Sequence, residues 1–180
     1  MKHITSIKIP ALEGTKVIAN AKDIFTGYID SDYKKWGADK KGEATKEVNV
    51  DVFELDKDGK FSDFIETDKL LTQEQILYFC ENHKDSLRQG GYATLFPLKS
   101  GDEIFVARAY VHSDGSLYSY VCRFSYDYVW DAEYRYRLVV LQLDPKTPST
   151  SDSSTLSSID PLQKAIEVVK NAGYLIYKQI

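Results

Sequence analysis

Residues 105–124 read FVARAYVHSDGSLYSYVCRF, two alternating runs on either side of Asp114-Gly115. A turn dipeptide between such runs is a strong short-range signal of a β-hairpin. A two-residue loop there pairs His112 with Leu117, Val111 with Tyr118, Ala109 with Tyr120 and Ala107 with Cys122. One face then collects Phe105, Ala107, Ala109 and Val111 against Tyr118, Tyr120, Cys122 and Phe124, so that small alanines lie opposite large rings. The other face carries Val106, Arg108, Tyr110 and His112 against Leu117, Val121 and Arg123.

The alternation continues into YDYVWDAEYRYR, residues 126–137, which places Tyr126, Tyr128 and Trp130 with the aromatic set. An odd-numbered loop at WDAE returns Tyr134, Tyr136, Leu138 and Val140 to that set and brings Arg135 and Arg137 beside Arg108 and Arg123. An even-numbered loop instead stacks Arg135 and Arg137 on Tyr128 and Tyr126. The odd loop is preferred because it segregates apolar from charged residues, and even-numbered residues from 118 to 140 are then expected to look inward. Four of the chain's five arginines gather on the opposite face. That face is either solvated or helix-covered, balanced by Asp127, Asp131 and Glu133, or it is an anion or single-stranded nucleic-acid surface. In the second case Arg108, Arg123, Arg135 and Arg137 take phosphate and Tyr110 offers a stacking ring.

The chain of 180 residues, 43% hydrophobic and 13% aromatic, is long enough to bury a core of ordinary size in one domain. A net charge of −4 gives no global basic field that would draw it to DNA or anionic lipid. The N-terminal MKHITSIKIPALEGTK places charge and proline where a signal peptide needs an apolar run, and no segment has the length of a membrane span. A cytoplasmic protein without membrane association is expected. Cys80 and Cys122 are too few for a disulfide framework and lie in apolar patterns, so they are expected as reduced, buried thiols.

Composition divides the rest. Residues 30–69 hold 20 charged positions in 40. Within them VNVDVFELDKDGKFSDF alternates up to Asp58-Gly59 and resumes, which reads as a second hairpin. HITSIKI reads as a strand and TKVIANAKDIF as a short helix. LTQEQILYFCENHKDSLRQGG is the clearest helix, with Thr72 and Gln75 spaced as a capping box and Gly90 as its stop. Ile76, Phe79, Cys80, His83 and Leu87 form its buried stripe. Strands are expected near 92–97, 103–112, 116–129 and 134–143. A Ser/Thr-rich linker at 146–159 then separates the body, 1–145, from a C-terminal helix and short strand at 160–180. That helix, capped by Asp160 and Pro161, docks either in cis or on a second subunit as a homodimer contact.

The motifs carry little chemistry. ELDKDGKF holds Asp56, Asp58 and Gly59 at the spacing of the middle of an EF-hand loop, but Glu54 and Ile65 occupy the end positions where an aspartate and a bidentate glutamate are needed. Asp51, Glu54, Asp56, Asp58 and Asp63 form an acidic patch, read as a solubility feature or as a docking surface for a basic partner. Cys80, His83, His112 and Cys122 make the inventory of a zinc site, but the hairpin register sets Cys122 far along the strand from His112. HIT at 3–5 lacks the second copy that a two-histidine phosphoesterase needs. No phosphate loop, nucleophile elbow or HExxH occurs. No catalytic residue, metal or cofactor is assigned.

LTQEQI, GGYATLF, VHSDGSL and DYVWDAEYRYRLVV, between residues 71 and 140, resemble a pattern found in uncharacterised bacterial proteins. The resemblance implies a bacterial or phage origin and brings no activity, cofactor or site residue with it.

The expectation is therefore an α+β fold: a mostly antiparallel, aromatic-rich sheet packed by one long helix, with the C-terminal helix tethered after it. The expected function is non-enzymatic binding or regulation through a protein partner, of the inhibitor or immunity type. The alternatives are single-stranded nucleic-acid binding through the Arg/Tyr face, and a phosphoesterase or nuclease using His3 or His112.

Overall fold

The computed structural model describes residues 1–142, and the linker and C-terminal helix expected from the sequence lie outside them. The described chain is α+β. Its seven strands are β1 (Lys2–Ile9), β2 (Tyr28–Ile29), β3 (Val48–Glu54), β4 (Ala93–Ser100), β5 (Glu103–Val111), β6 (Leu117–Arg123) and β7 (Arg137–Leu141). They form one sheet in the order β1-β3-β7-β4-β5-β6-β2. All pairings are antiparallel except β4 with β7 and β2 with β6. Three short helices accompany it: α1 (Asp32–Lys35), α2 (Phe61–Phe64) and α3 (Gln73–Asn82).

Both faces of the sheet are packed. On one, Ile76, Leu77, Phe79 and Cys80 of α3 meet Val50, Val52, Phe96, Leu98, Phe105, Ala107, Val121 and Val139. This helix face is the larger core. On the other, Phe61, Phe64 and Ile65 and the buried Trp130 cover Leu95, Val106, Cys122, Leu138 and Val140. Here the cover is made of loops and the single turn of α2, and it reaches only part of the sheet.

The sequence signals for α3 hold at its start. The Thr72 hydroxyl accepts from the Gln75 N–H at 3.3 Å, and the Gln75 side chain accepts from the Thr72 N–H at 2.9 Å. The helix stops at Asn82, with His83 as C-cap and a 3-10 turn at Lys84–Ser86, rather than running to Gly90. Ile76, Phe79, Cys80 and Leu87 are buried as the stripe requires, whereas His83 is half-buried against the Tyr78 and Phe79 rings. Gln73 and Glu74, polar at the helix start, are buried as well. They hold the preceding segment: Gln73 Oε1 accepts from the Ile18 N–H, and Glu74 Oε2 from the Thr15 N–H. Those backbone bonds replace the helix expected near 15–25, of which only a 3-10 turn at Ile18–Asn20 forms.

The hairpin expected around Asp58-Gly59 does not form. β3 is flanked by β1 and β7 instead, and the chain after Gly59 turns into α2, where Asp63 accepts from the Lys60 N–H at 2.7 Å. Phe61 and Phe64, three apart, thereby point to one side and enter the second core. Alternation in this stretch described β3 and failed beyond it.

The hairpin of β5 and β6 forms with its register one residue from the expected one. Val111 pairs with Leu117, Tyr110 with Tyr118, Arg108 with Tyr120 and Val106 with Cys122. The loop has three residues: the His112 N–H bonds Ser116 O, the Gly115 N–H bonds His112 O, and Gly115 is left-handed at φ 81°. A type I turn closed by a left-handed glycine has this form. A one-residue slip carries every β6 side chain to the other face. Tyr118, Tyr120 and Cys122 thus leave the alanines and join Arg108, Tyr110 and His112.

Candidate binding face

Residues 124–129 and 134–136, expected as strand on either side of a loop at 130–133, are not strand. The last ladder bond of β6 runs from the Phe124 N–H to Ile104 O, and the Tyr126 N–H then turns back to Arg123 O. From there the chain crosses the loop-covered face of the sheet as an irregular segment. It is clamped to the loop after β3: the Gly59 and Trp130 backbones exchange two bonds, at 3.1 and 2.7 Å, and the Ala132 N–H donates to Asp58 Oδ1 at 2.8 Å. Trp130 is the anchor, 3% exposed and 5.3 Å from the Phe61 ring. Its neighbours do not look inward. Tyr126 is 51% exposed, Tyr128 46% and Val129 50%.

Register and crossing segment together lay two strings of rings on this face. The first joins His112, Tyr118, Tyr28, Tyr120 and Tyr110 at centroid spacings between 4.0 and 6.5 Å. The second joins Tyr126, Tyr128, Trp130, Tyr136, Tyr134 and Tyr92, at spacings between 4.9 and 6.1 Å. Arg108 links them, its guanidinium 5.6 Å from the Tyr120 ring and 6.0 Å from that of Trp130. Burial pushes the Tyr136 hydroxyl up to about 12, with neighbouring tyrosines adding to it. Burial raises Tyr110 too, opposed by the charge of Arg108. Both remain neutral hydrogen-bonding groups at physiological pH.

The expected arginine face does not assemble. Of its four arginines Arg108 alone lies on the tyrosine face, where Arg88 also stands over the Tyr92 ring at 5.2 Å. Arg123 points to the helix face, over the Trp36 ring at 5.6 Å, and pairs with Glu103 at 3.0 Å. Arg137 donates to Leu87 O at 3.0 Å and Asp85 O at 3.3 Å, so it holds the chain after α3 against β7. Arg135 stands at the left-handed position, φ 49°, that ends a 3-10 turn at Ala132–Tyr134. Tyr110, half-buried, does share the face with Arg108.

The acidic residues are tied into local structure. Asp51 meets His3 at 3.3 Å and accepts from Ser6 at 2.6 Å; Asp56 pairs with the terminal amine at 2.8 Å; Asp58 and Asp63 accept the backbone bonds described above. Glu54 is half-buried, opposite Lys2 on β1 and Arg137 on β7. Cys80 and Cys122 are free and buried as expected, but on opposite faces of the sheet. Among the described residues no group of three His, Cys, Asp or Glu side chains could hold a metal, and no helix is long and apolar enough to cross a membrane.

Two hollows meet at Arg108. A small one of about 170 Å³ is lined by Arg108, Tyr110, Tyr126, Tyr128, Trp130 and Tyr136. A cleft of about 570 Å³ opens beside it where β2 leaves the sheet edge, between Asp30, Asp32 and Trp36 on one side and Val121–Arg123 and Ser125–Asp127 on the other. Arg108 and Tyr126 border both. Alternating aromatics in the sequence signalled the ring residues, but no sequence signal singled out Arg108 from the other arginines.

No family model matches the chain, and no curated protein and no solved structure matches it.

Proposed function

We propose that this is a protein-binding module that engages its partner through the tyrosine face. The observation that carries this is the exposed run Tyr126, Tyr128 and Val129, held out by the buried Trp130 and continuous with the rings of β5 and β6. Tyrosine supplies large, rigid contact area at low entropic cost and keeps a polar tip for hydrogen bonds, which is why it is enriched at interfaces. A soluble chain gains nothing for its own stability by displaying such rings side by side. A regulatory or inhibitory role, in which the face covers a partner's surface, is the form of binding that fits a broad exposed run of rings.

Single-stranded nucleic acid is the competing partner, since stacked rings suit bases. Dispersal of Arg123, Arg135 and Arg137 removes the phosphate contacts that would supply most of that affinity. Peptide display on the full chain, followed by affinity measurement against Tyr126→Ser/Tyr128→Ser, separates the two. Selected peptides should bind with little salt dependence and lose at least about tenfold in the double variant, whose melting temperature should stay close to the parent's because both rings are exposed. Labelled single-stranded DNA and RNA should show no binding at low salt. Steeply salt-dependent oligonucleotide binding without tyrosine-dependent peptides would transfer the function to nucleic acid.

A further inference from the structure

Arg108 is a half-buried cation set among rings. Among the described residues no carboxylate pairs with it, whereas Arg123 has Glu103, Lys60 has Asp127 and Lys35 has Asp32. Its Nε–H is buried without an acceptor, and the indole N–H of Trp130, whose ring flanks the guanidinium, is buried without one as well. Unpaired donors in a desolvated place are costly, and a half-buried charge more so. Ring faces on two sides offset part of that cost and fix the side chain's direction. The remaining deficit is one negative charge and its acceptor atoms.

We propose that Arg108 is the recognition site for a carboxylate seated among Tyr110, Tyr126, Tyr128, Trp130 and Tyr136. The planar guanidinium matches a carboxylate fork to fork, and neutral tyrosine hydroxyls can donate to its free lone pairs. The hollow of about 170 Å³ admits a side chain or a small acid, with its apolar portion against the rings. The adjoining cleft holds Asp30, Asp32 and Asp127 as well as Arg123, so a second negative charge on the ligand gains less than the first. None of those aspartates forms an ion pair with Arg108. Asp30 accepts the Asp32 N–H at 3.0 Å, and the other two hold lysines.

This names the chemistry of the partner proposed above and rests on that reading where the carboxylate is an Asp or Glu side chain; a free organic acid would use the same site without it. Benzoate, its neutral isostere benzamide, and the capped dipeptides Tyr-Glu and Tyr-Gln distinguish the cases in calorimetric titrations of the full chain. Benzoate should bind at least about tenfold more tightly than benzamide, and Arg108→Gln should abolish that preference. Tyr-Glu favoured over Tyr-Gln by a similar factor would place the carboxylate on a protein partner, and benzoate preference without it would place it on a small acid. Equal binding of benzoate and benzamide, no binding of either, or a preference that survives Arg108→Gln overturns the site. If Arg108→Gln does not fold, the benzoate-to-benzamide ratio on the parent protein decides. Displayed peptides that need Tyr126 and Tyr128 but are indifferent to loss of their acids would sink the carboxylate site and leave the protein-binding reading intact.

Discussion

Trp130 shows how one residue organises the tyrosine face. It seals the second core against Phe61 and holds the exposed Tyr128 at its edge, ring centroids 5.3 Å apart. Trp130→Ala should cost about 3–5 kcal/mol in urea unfolding, in the range of large aromatic truncations in cores. Trp130→Phe should cost far less, because the indole N–H it removes has no acceptor among the described residues. Equal costs for the two variants would mean that the N–H, and not the packed ring, is what the fold uses. The aromatic character of 126–137 was plain in the sequence. That Trp130 plugs while Tyr126 and Tyr128 stand out was not, because alternation assigns all three to one side and only the bend after Phe124 separates them.

At the scale of the element, the β5–β6 turn decides more than any strand. A loop of two residues, 114–115, or of three, 113–115, produces an equally regular ladder, and the choice determines whether tyrosines face alanines or Arg108. Gly115, at φ 81°, is the residue that allows the longer loop. Gly115→Ala should destabilise the protein by roughly 1 kcal/mol, since a Cβ is strained in the left-handed region, while Gly115→Asn should be milder. Chemical denaturation of the two variants measures the difference. No loss in Gly115→Ala would mean that this position does not hold the left-handed conformation in solution. Asp114-Gly115 announced a turn without announcing its length. The capping box of α3, by contrast, was readable from Thr72 and Gln75 alone because both its bonds are local.

For the molecule as a whole, burial on both faces of the sheet sets its response to alkali. Tyr33 is fully buried, its hydroxyl 2.8 Å from Ser119 Oγ, and burial pushes it far above its ordinary 10.0. Burial likewise holds Cys80 far above 9.0 and moves Cys122 up to about 11. The unfolded chain loses the two thiol protons from about pH 8 upward and the Tyr33 proton from about pH 9 while the native chain keeps them, so the unfolded state binds fewer protons there and stability falls as pH rises. Below about pH 7.5 these groups contribute almost no slope. Urea midpoints measured between neutral and about pH 11 should decline through that window, and Tyr33→Phe should flatten part of the decline. A level profile would mean that these groups titrate as freely in the native state as in the unfolded one.

Local sequence patterns were enough for the class of fold, the start of α3, the positions of the central strands and the burial of the two cysteines. Each of these depends on periodicity, local capping or composition, which act over a few residues. Tertiary structure alone decided that β3 pairs with β1 and β7, that residues 124–136 cross the sheet instead of extending it, and that four arginines part company. Those outcomes turn on one residue of loop length and on contacts between segments as distant as Gly59 and Trp130, and no local pattern encodes them. Arg108 came to stand between the Tyr120 and Trp130 rings by the same route: its strand was legible, but its surroundings were assembled from β6 and the crossing segment only when the chain closed.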